Sequence, residues 1–358
     1  METKEMKKAK KVLGIILVAV LLLLVFLIIG GYFMFREQLT AMGTIKKLDD
    51  RVYTMRYEGN YGFDDFLAKG GAASDEVVGY YITEFLSHGF YSVEPETQKQ
   101  GCSTVQAQGA DGEWLFGRNY DWEDATIMIV ETKPENGYAS VSTCNMDYLG
   151  FGEGYLPEGF TNQMMALASI YVPLDGMNEK GLCVADLIID VNENTAQDNA
   201  KPDLTTTTAI RLLLDHASNV WEAVELLEQY DMHSSAGMMH HLAIADSTGK
   251  SVVAEYVDNE LIITETPVVT NFYLADEKRG IGSEQSKKRF AILEKWLSQT
   301  DGKDERQMKN ALQSVCQKEM GEEFAKTVWS IVYDQTNGKL TYYLREDYDS
   351  EHSFTVTE

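Results

Sequence analysis

Two blocks decide how this chain reads: Gly101-Cys102-Ser103-Thr104, and beyond it Phe116-Gly117-Arg118-Asn119-Tyr120-Asp121-Trp122. Between them, Asp111-Gly112 is a hairpin signal. A strand over 102–108 and a returning strand opening at Trp114 are predicted on either side of it. Antiparallel pairing then carries the stretch from Arg118 to Asp121 back beside Cys102. That grouping has chemical content. The thiolate is the reactive form of cysteine, and a nearby guanidinium lowers a thiol pKa. If the chain is cut at Gly101–Cys102, the new α-amine, with a reference pKa of about 7.7–8.0, is a base held on the nucleophile itself. Asp121 can orient that amine by a charge-assisted hydrogen bond. Gly101 leaves the bond sterically open to the side chain of Cys102. The plainer reading of the same residues is a surface ion pair between Arg118 and Asp121 beside an inert buried thiol.

Outward from the hairpin, strand and helix signals are segregated. Strands are expected over 126–131, 138–144 and 182–189, the last after a turn at Glu179-Lys180-Gly181. Helices are expected over 205–217 and 221–229, with Ile210, Leu213, Leu214, Leu226 and Leu227 on buried faces. Strands over 241–246 and 251–256 flank a turn at Ser247-Thr248-Gly249-Lys250, and 261–264 and 267–271 continue the sheet. Helices over 286–298 and 305–316 precede a closing hairpin built on Asn337-Gly338. Runs of strands separated from runs of helices imply an α+β fold with sheets packed on each other and helices outside.

Upstream, 36–101 reads as a linker and a helical pro-segment. Ser74 is a plausible N-cap, with Asp75 and Glu76 in the first turn. Val77, Val78, Ile82, Phe85 and Leu86 then recur near helical spacing, and Gly89 is the expected stop. Further upstream, 12–35 carries no charge and is mostly Leu, Val and Ile. At about 1.5 Å per residue it is long enough for a hydrocarbon core of about 30 Å. Lys7, Lys8, Lys10 and Lys11 precede it, which places the N-terminus in the cytoplasm and the bulk of the chain outside. A cleaved signal peptide is the competing reading; its apolar region is ordinarily shorter, about 7–15 residues. The expected division is therefore a cytoplasmic tip and membrane anchor over 1–35, the pro-segment over 36–101 and a catalytic domain over 102–358.

Composition narrows the function. The 358 residues carry a formal net charge of −25, which repels nucleic-acid phosphates and excludes DNA or RNA as a natural partner. The four cysteines, Cys102, Cys144, Cys183 and Cys316, form no CxxC pair and no metal-ligand spacing. His233, His240 and His241 show no HxxxH or HExxH pattern, and adjacent His240 and His241 in a strand would face opposite ways.

The Cys-Ser-Thr start, the Gly-Arg-Asn-x-Asp block and the later Gly176-Met177-Asn178-Glu179-Lys180-Gly181-Leu182 together resemble the linear-amide C–N hydrolases, which include bile salt (choloylglycine) hydrolases and penicillin V acylases. The resemblance runs from Cys102 to the C-terminus. It implies the N-terminal-nucleophile fold, a four-layer αββα sandwich. It also implies Cys102 as nucleophile, Arg118 beside the thiol, Asp121 on the α-amine, Asn271 in Val269-Thr270-Asn271 as an oxyanion donor, and Arg289 in Lys288-Arg289-Phe290. The chemistry it implies needs no metal or organic cofactor, and the partner is a small N-acyl amide. One departure stands out. The second oxyanion-hole asparagine of bile salt hydrolases has no counterpart in Cys183-Val184-Ala185-Asp186-Leu187-Ile188. Asp186 is the one polar residue there; an ionised carboxylate would repel an oxyanion, so Asp186 is a candidate for reading a polar or cationic part of the substrate. The same acyl-enzyme could pass its acyl group to an amine rather than water, and an uncut, inert anchored module is the reading outside enzymology.

Overall fold

The hairpin carrying Cys102 lies inside the smaller of two stacked sheets. The computed structural model describes residues 4–87, 101–299, 302–318 and 326–357. Strand Gly101–Gln108 pairs antiparallel with Trp114–Trp122, in the register Gly101↔Asp121, Cys102↔Tyr120 and Thr104↔Arg118. Gly112 supplies the left-handed backbone of the turn, with φ +92°. Successive side chains alternate between faces, so Cys102, Arg118 and Tyr120 share one face while Asp121, Asn119 and Ser103 share the other. Lys326–Asp334, Lys339–Leu344 and Asp347–Thr355 extend the sheet on one side and Val268–Thr270 on the other, giving six strands among the described residues.

The second sheet has nine strands among the described residues. Its centre includes Ile127–Lys133, Ser140–Asn145, Asp175–Asn178, Cys183–Ile189, Met239–Ala245 and Ser251–Val257. Cys183–Ile189 is buried along its whole length, as a strand covered on both faces must be, and reads as a near-continuous apolar run. Between the sheets, Cys102, Tyr120, Trp122 and Trp329 pack against Ile127, Ile129, Ala185 and Leu187. The far face of the nine-stranded sheet packs Val130, Val184, Leu242 and Ile244 against a helical layer that includes Asp75–Ser87, Thr206–His216 and Val220–Leu227. The far face of the six-stranded sheet packs Val105, Leu115 and Val332 against helices Glu284–Gln299 and Glu305–Ser314. Gly117 lets the second of these helices sit close, since a Cβ there would lie 2.7 Å from the Met308 sulfur. The order helix, sheet, sheet, helix is the expected four-layer αββα sandwich.

The upstream segment differs in part from its sequence reading. Helix Asp75–Ser87 forms as expected, and the Val77 amide donates to Ser74 Oγ at 3.4 Å. Val78, Ile82 and Leu86 are buried and Phe85 packs on the same cluster, whereas Val77 is exposed. Gly89, the expected stop, lies outside the described residues. The stretch read as linker also holds two strands, Lys46–Asp49 and Val52–Glu58, which extend the nine-stranded sheet; Val52–Glu58 pairs parallel with Ile127–Lys133. No local pattern announces a parallel partner so far along the chain, because the pairing is non-local and the strands are short. Before them runs helix Lys4–Met34, of which Lys8–Met34 is long and apolar enough to cross a membrane by length and composition. Leu22, Phe26 and Ile28 on it are exposed among the described residues.

Candidate active site

The strand register assembles the site from both faces of the hairpin. On the inter-sheet face, Arg118 shares the strand face of Cys102, its charge lowers the thiol pKa, and its guanidinium stands over the Tyr120 ring at 5.6 Å. Arg118 is fully buried, so its charge needs a partner. Asp175 supplies it: Arg118 Nε donates to Asp175 Oδ2 at 3.3 Å, while the same carboxylate accepts from Trp329 Nε1 at 2.9 Å and Tyr333 Oη at 3.1 Å. Arg118 Nη1 donates to the Asn119 carbonyl at 3.2 Å. The guanidinium is thereby fixed beside the thiol.

On the opposite face, Asp121 does not form the surface pair with Arg118 that the plainer reading offered. Asp121 is buried, and its Oδ1 accepts from Thr327 Oγ1 at 2.6 Å. Its Oδ2 makes no hydrogen bond among the described residues and lies 3.6 Å from Arg289 Nη1. Arg289, on helix Glu284–Gln299, is buried and donates from Nη1 to the Cys102 carbonyl and from Nη2 to Asn271 Oδ1 at 2.8 Å. Asn271 Oδ1 also accepts from the Cys102 amide at 2.6 Å, and Asn271 Nδ2 donates to the Ile188 carbonyl at 2.6 Å. Cys102 therefore has its amide on Asn271 and its carbonyl on Arg289, and Arg118 lies on its thiol's face of the hairpin. Of the five residues singled out by the motifs, the other four come together around Cys102.

Asp186 stands apart from these five. Its strand register with Leu242 turns it to the helix side of the nine-stranded sheet, while neighbouring Ala185 and Leu187 face Cys102 across the inter-sheet core. Its Oδ1 accepts from His240 Nδ1 at 2.8 Å. Both line a narrow cleft with Asp75, Val78, Ile82, Tyr148 and Leu174, with a cavity of about 40 Å³. Leu174 and Tyr148 also pack in the cluster that contains Cys102.

Burial dominates the electrostatics. It pushes the Cys102 thiol up, Arg118 pulls it down, and Asp121 and Asp186 push it up again, leaving it at about 11. In the uncut chain the thiol is therefore protonated at neutral pH. Burial likewise raises Asp121, against the pull of Arg289 and the Thr327 hydrogen bond, to about 6. A carboxyl raised on folding binds its proton more tightly in the folded state. Its contribution to stability is therefore fullest below the unfolded value near 3.8 and is lost as pH rises through about 6. In the uncut Cys102→Ala chain, Asp121→Asn should remove this dependence. Urea unfolding at pH 5 and pH 7.5 should show the Asp121 chain losing stability relative to the Asn chain as pH rises. A difference between the two chains that stays constant with pH would contradict the buried, raised carboxyl.

The sequence reading missed three supporting side chains: Asp175, Thr327 and His240. Asp175 had a signal, as an acid opening a strand of otherwise apolar or small residues just before the Gly-Met-Asn-Glu block. Thr327 had none. The three histidines highlighted above pair with separate acids, His233 with Asp203, His240 with Asp186 and His241 with Glu255.

A family model described as acyl-coenzyme A:6-aminopenicillanic acid acyl-transferase matches residues 107–349. A penicillin V acylase of Pectobacterium atrosepticum is 30% identical over 182 residues, a match covering 46% of this chain and 46% of that protein, so the chain spans about half the length of this curated relative. Among solved structures, a mutant conjugated bile acid hydrolase of Clostridium perfringens superposes with a TM-score of 0.52 at 19% identity, covering 71% of this chain and 92% of that one. Penicillin V acylase of Agrobacterium tumefaciens superposes with a TM-score of 0.51 at 18% identity, covering 71% and 85%. These two likenesses carry the fold, and it is the fold expected from the motifs around Cys102. Since the matched stretch takes in most of both sheets and the helices over the six-stranded one, the chain belongs to the acyl-coenzyme A:6-aminopenicillanic acid acyl-transferase family.

Proposed function

We propose that this chain is a cysteine N-terminal-nucleophile amidohydrolase acting on linear, non-peptide amides of N-acyl substrates, and that it cuts itself at Gly101–Cys102. The observation that supports this most is the convergence on one cysteine of Asn271 at its amide, Arg289 at its carbonyl and the buried Arg118 charge that lowers its thiol pKa. In the cut, the Cys102 sulfur attacks the Gly101 carbonyl. The C–N bond to Cys102 breaks, its nitrogen gains the thiol proton, and a thioester forms. Water then hydrolyses the thioester, leaving a Gly101 carboxylate, a free thiol and a free α-amine. Asp121 Oδ2, unbonded in the uncut chain and paired across from Gly101, is suited to hold that amine as an ammonium.

In turnover, the α-amine takes the thiol proton as sulfur attacks the substrate carbonyl, then gives it to the departing amine. Water releases the acid and restores the thiol. Asn271 Nδ2 is the donor proposed for the oxyanion; one such donor is typically worth about 10²–10³ in rate. The division at 1–35, 36–101 and 102–358 belongs to the same reading, with helix Lys8–Met34 as membrane anchor and the catalytic part on the extracytoplasmic side. The description of the matched family favours a second outcome, transfer of the acyl group to an amine in place of water. The test is a panel of acyl amides incubated with and without added amines. Release of acid and amine supports hydrolysis, a new amide supports transfer, and neither would contradict the acyl-enzyme.

A further inference from the structure

The cleft beside Asp186 is walled by Val78, Ile82, Leu149, Val172 and Leu174. A carboxylate among such side chains is costly unless it is paired. His240 pairs it, and the hydrogen bonds fix the protonation of the ring. Nδ1 lies 2.8 Å from Asp186 Oδ1, and Nε2 lies 2.9 Å from the Ser235 carbonyl. Both partners are acceptors, so both ring nitrogens donate and His240 is an imidazolium. The Ser235 turn is itself held from the upstream helix: Asp75 Oδ1 accepts from Ser235 Oγ at 2.8 Å and Asp75 Oδ2 from the Ala236 amide at 2.7 Å. His240 thus has no N–H left for a ligand, and Asp75 has both oxygens engaged. Asp186 differs. It is 1% exposed, it lines the cleft, and its Oδ2 bonds nothing among the described residues. The pair therefore presents one oriented anionic acceptor in a largely apolar slot.

We propose that Asp186 reads a protonated amine on the acyl group, making aminoacyl amides the favoured substrates; this rests on the amidohydrolase reading above. The acyl side is indicated because the acyl group stays tethered to sulfur after the amine has left, and so needs a lined cleft, whereas the amine must depart. Leu174 and Tyr148 line this cleft and also pack with the cluster around Cys102, whose thiol feels the Asp186 charge. An ammonium fits better than a hydroxyl, since a charge-assisted hydrogen bond is roughly twice as strong as a neutral one. His240 acts through Asp186 and is a positioning residue.

The test uses the full chain and hexanoyl 4-nitroanilide, with matched amides bearing an amine on carbon 2, 4 or 6 of the acyl chain. At least one aminohexanoyl amide should exceed the parent in kcat/KM by about tenfold or more, and Asp186→Asn should bring that ratio to within about twofold. Asp186→Ser serves if the first variant is insoluble, with the same expected collapse. No amine-bearing amide above the parent, or a ratio unchanged in a folded variant, would overturn the inference while leaving the amidohydrolase reading in place. No nitroaniline released from any of the amides by a chain beginning at Cys102 would contradict both.

Discussion

Cys102→Ala should reduce amide hydrolysis by about 10⁴-fold or more and leave the chain in one piece. In the proposed reaction one residue supplies the attacking sulfur, the α-amine that moves the proton and the bond that is cut, so no neighbour can stand in. The substitution removes one atom from a fully buried position, and the surrounding cluster of Tyr120, Trp122, Ile127 and Trp329 is large enough to keep the fold. Loss of activity should therefore come with a native circular dichroism spectrum. Hydrolysis retained at the wild-type rate in this variant would end the cysteine mechanism.

Arg118→Gln should lower kcat/KM by about 10²–10³ and move the pH at which iodoacetamide alkylates Cys102 upward. The magnitude is that of losing one fixed group beside the reacting atoms. The sign follows from the site: the thiol already sits at about 11 despite Arg118, which is the group that pulls it down. Without that cation the thiolate becomes rarer still. Arg289→Gln should cost less and leave the alkylation profile nearer that of wild type, because Arg289 bonds the Cys102 carbonyl and Asn271 rather than the sulfur. Equal alkylation profiles in wild type and Arg118→Gln would show that the guanidinium does not govern the thiol.

The central hairpin was legible because its signals are local. A turn dipeptide and two short strands return the stretch from Arg118 to Asp121 beside Cys102; the observed register divides it, with Arg118 on the face of Cys102 and Asp121 on the other. Asn271 and Arg289 were legible only through the family resemblance, since nothing in a Thr-Asn step or a helix-borne Arg announces a partner so far back in the chain. The strands Lys46–Asp49 and Val52–Glu58 were not legible at all. Their place is set by pairing with Ile127–Lys133 and by burial of Val52, Tyr53, Met55 and Tyr57, which are tertiary facts. The closing strand Asp347–Thr355 was missed for a different reason: it is an edge strand, largely polar and exposed, and carries little apolar alternation.

Those missed strands bear on what happens after a cut. The piece ahead of Cys102 contributes two strands to the nine-stranded sheet and, through helix Asp75–Ser87, one wall of the cleft. Releasing it would bare the sheet edge at Ile127–Lys133 and the faces that Val78, Ile82 and Leu86 cover. The most direct measurement is the mass of the purified protein, taken under denaturing and then native conditions. The expected result is two chains on denaturation, one ending at Gly101 and one beginning at Cys102, which travel together as a single native species. An intact chain in a preparation that hydrolyses acyl amides would contradict the account.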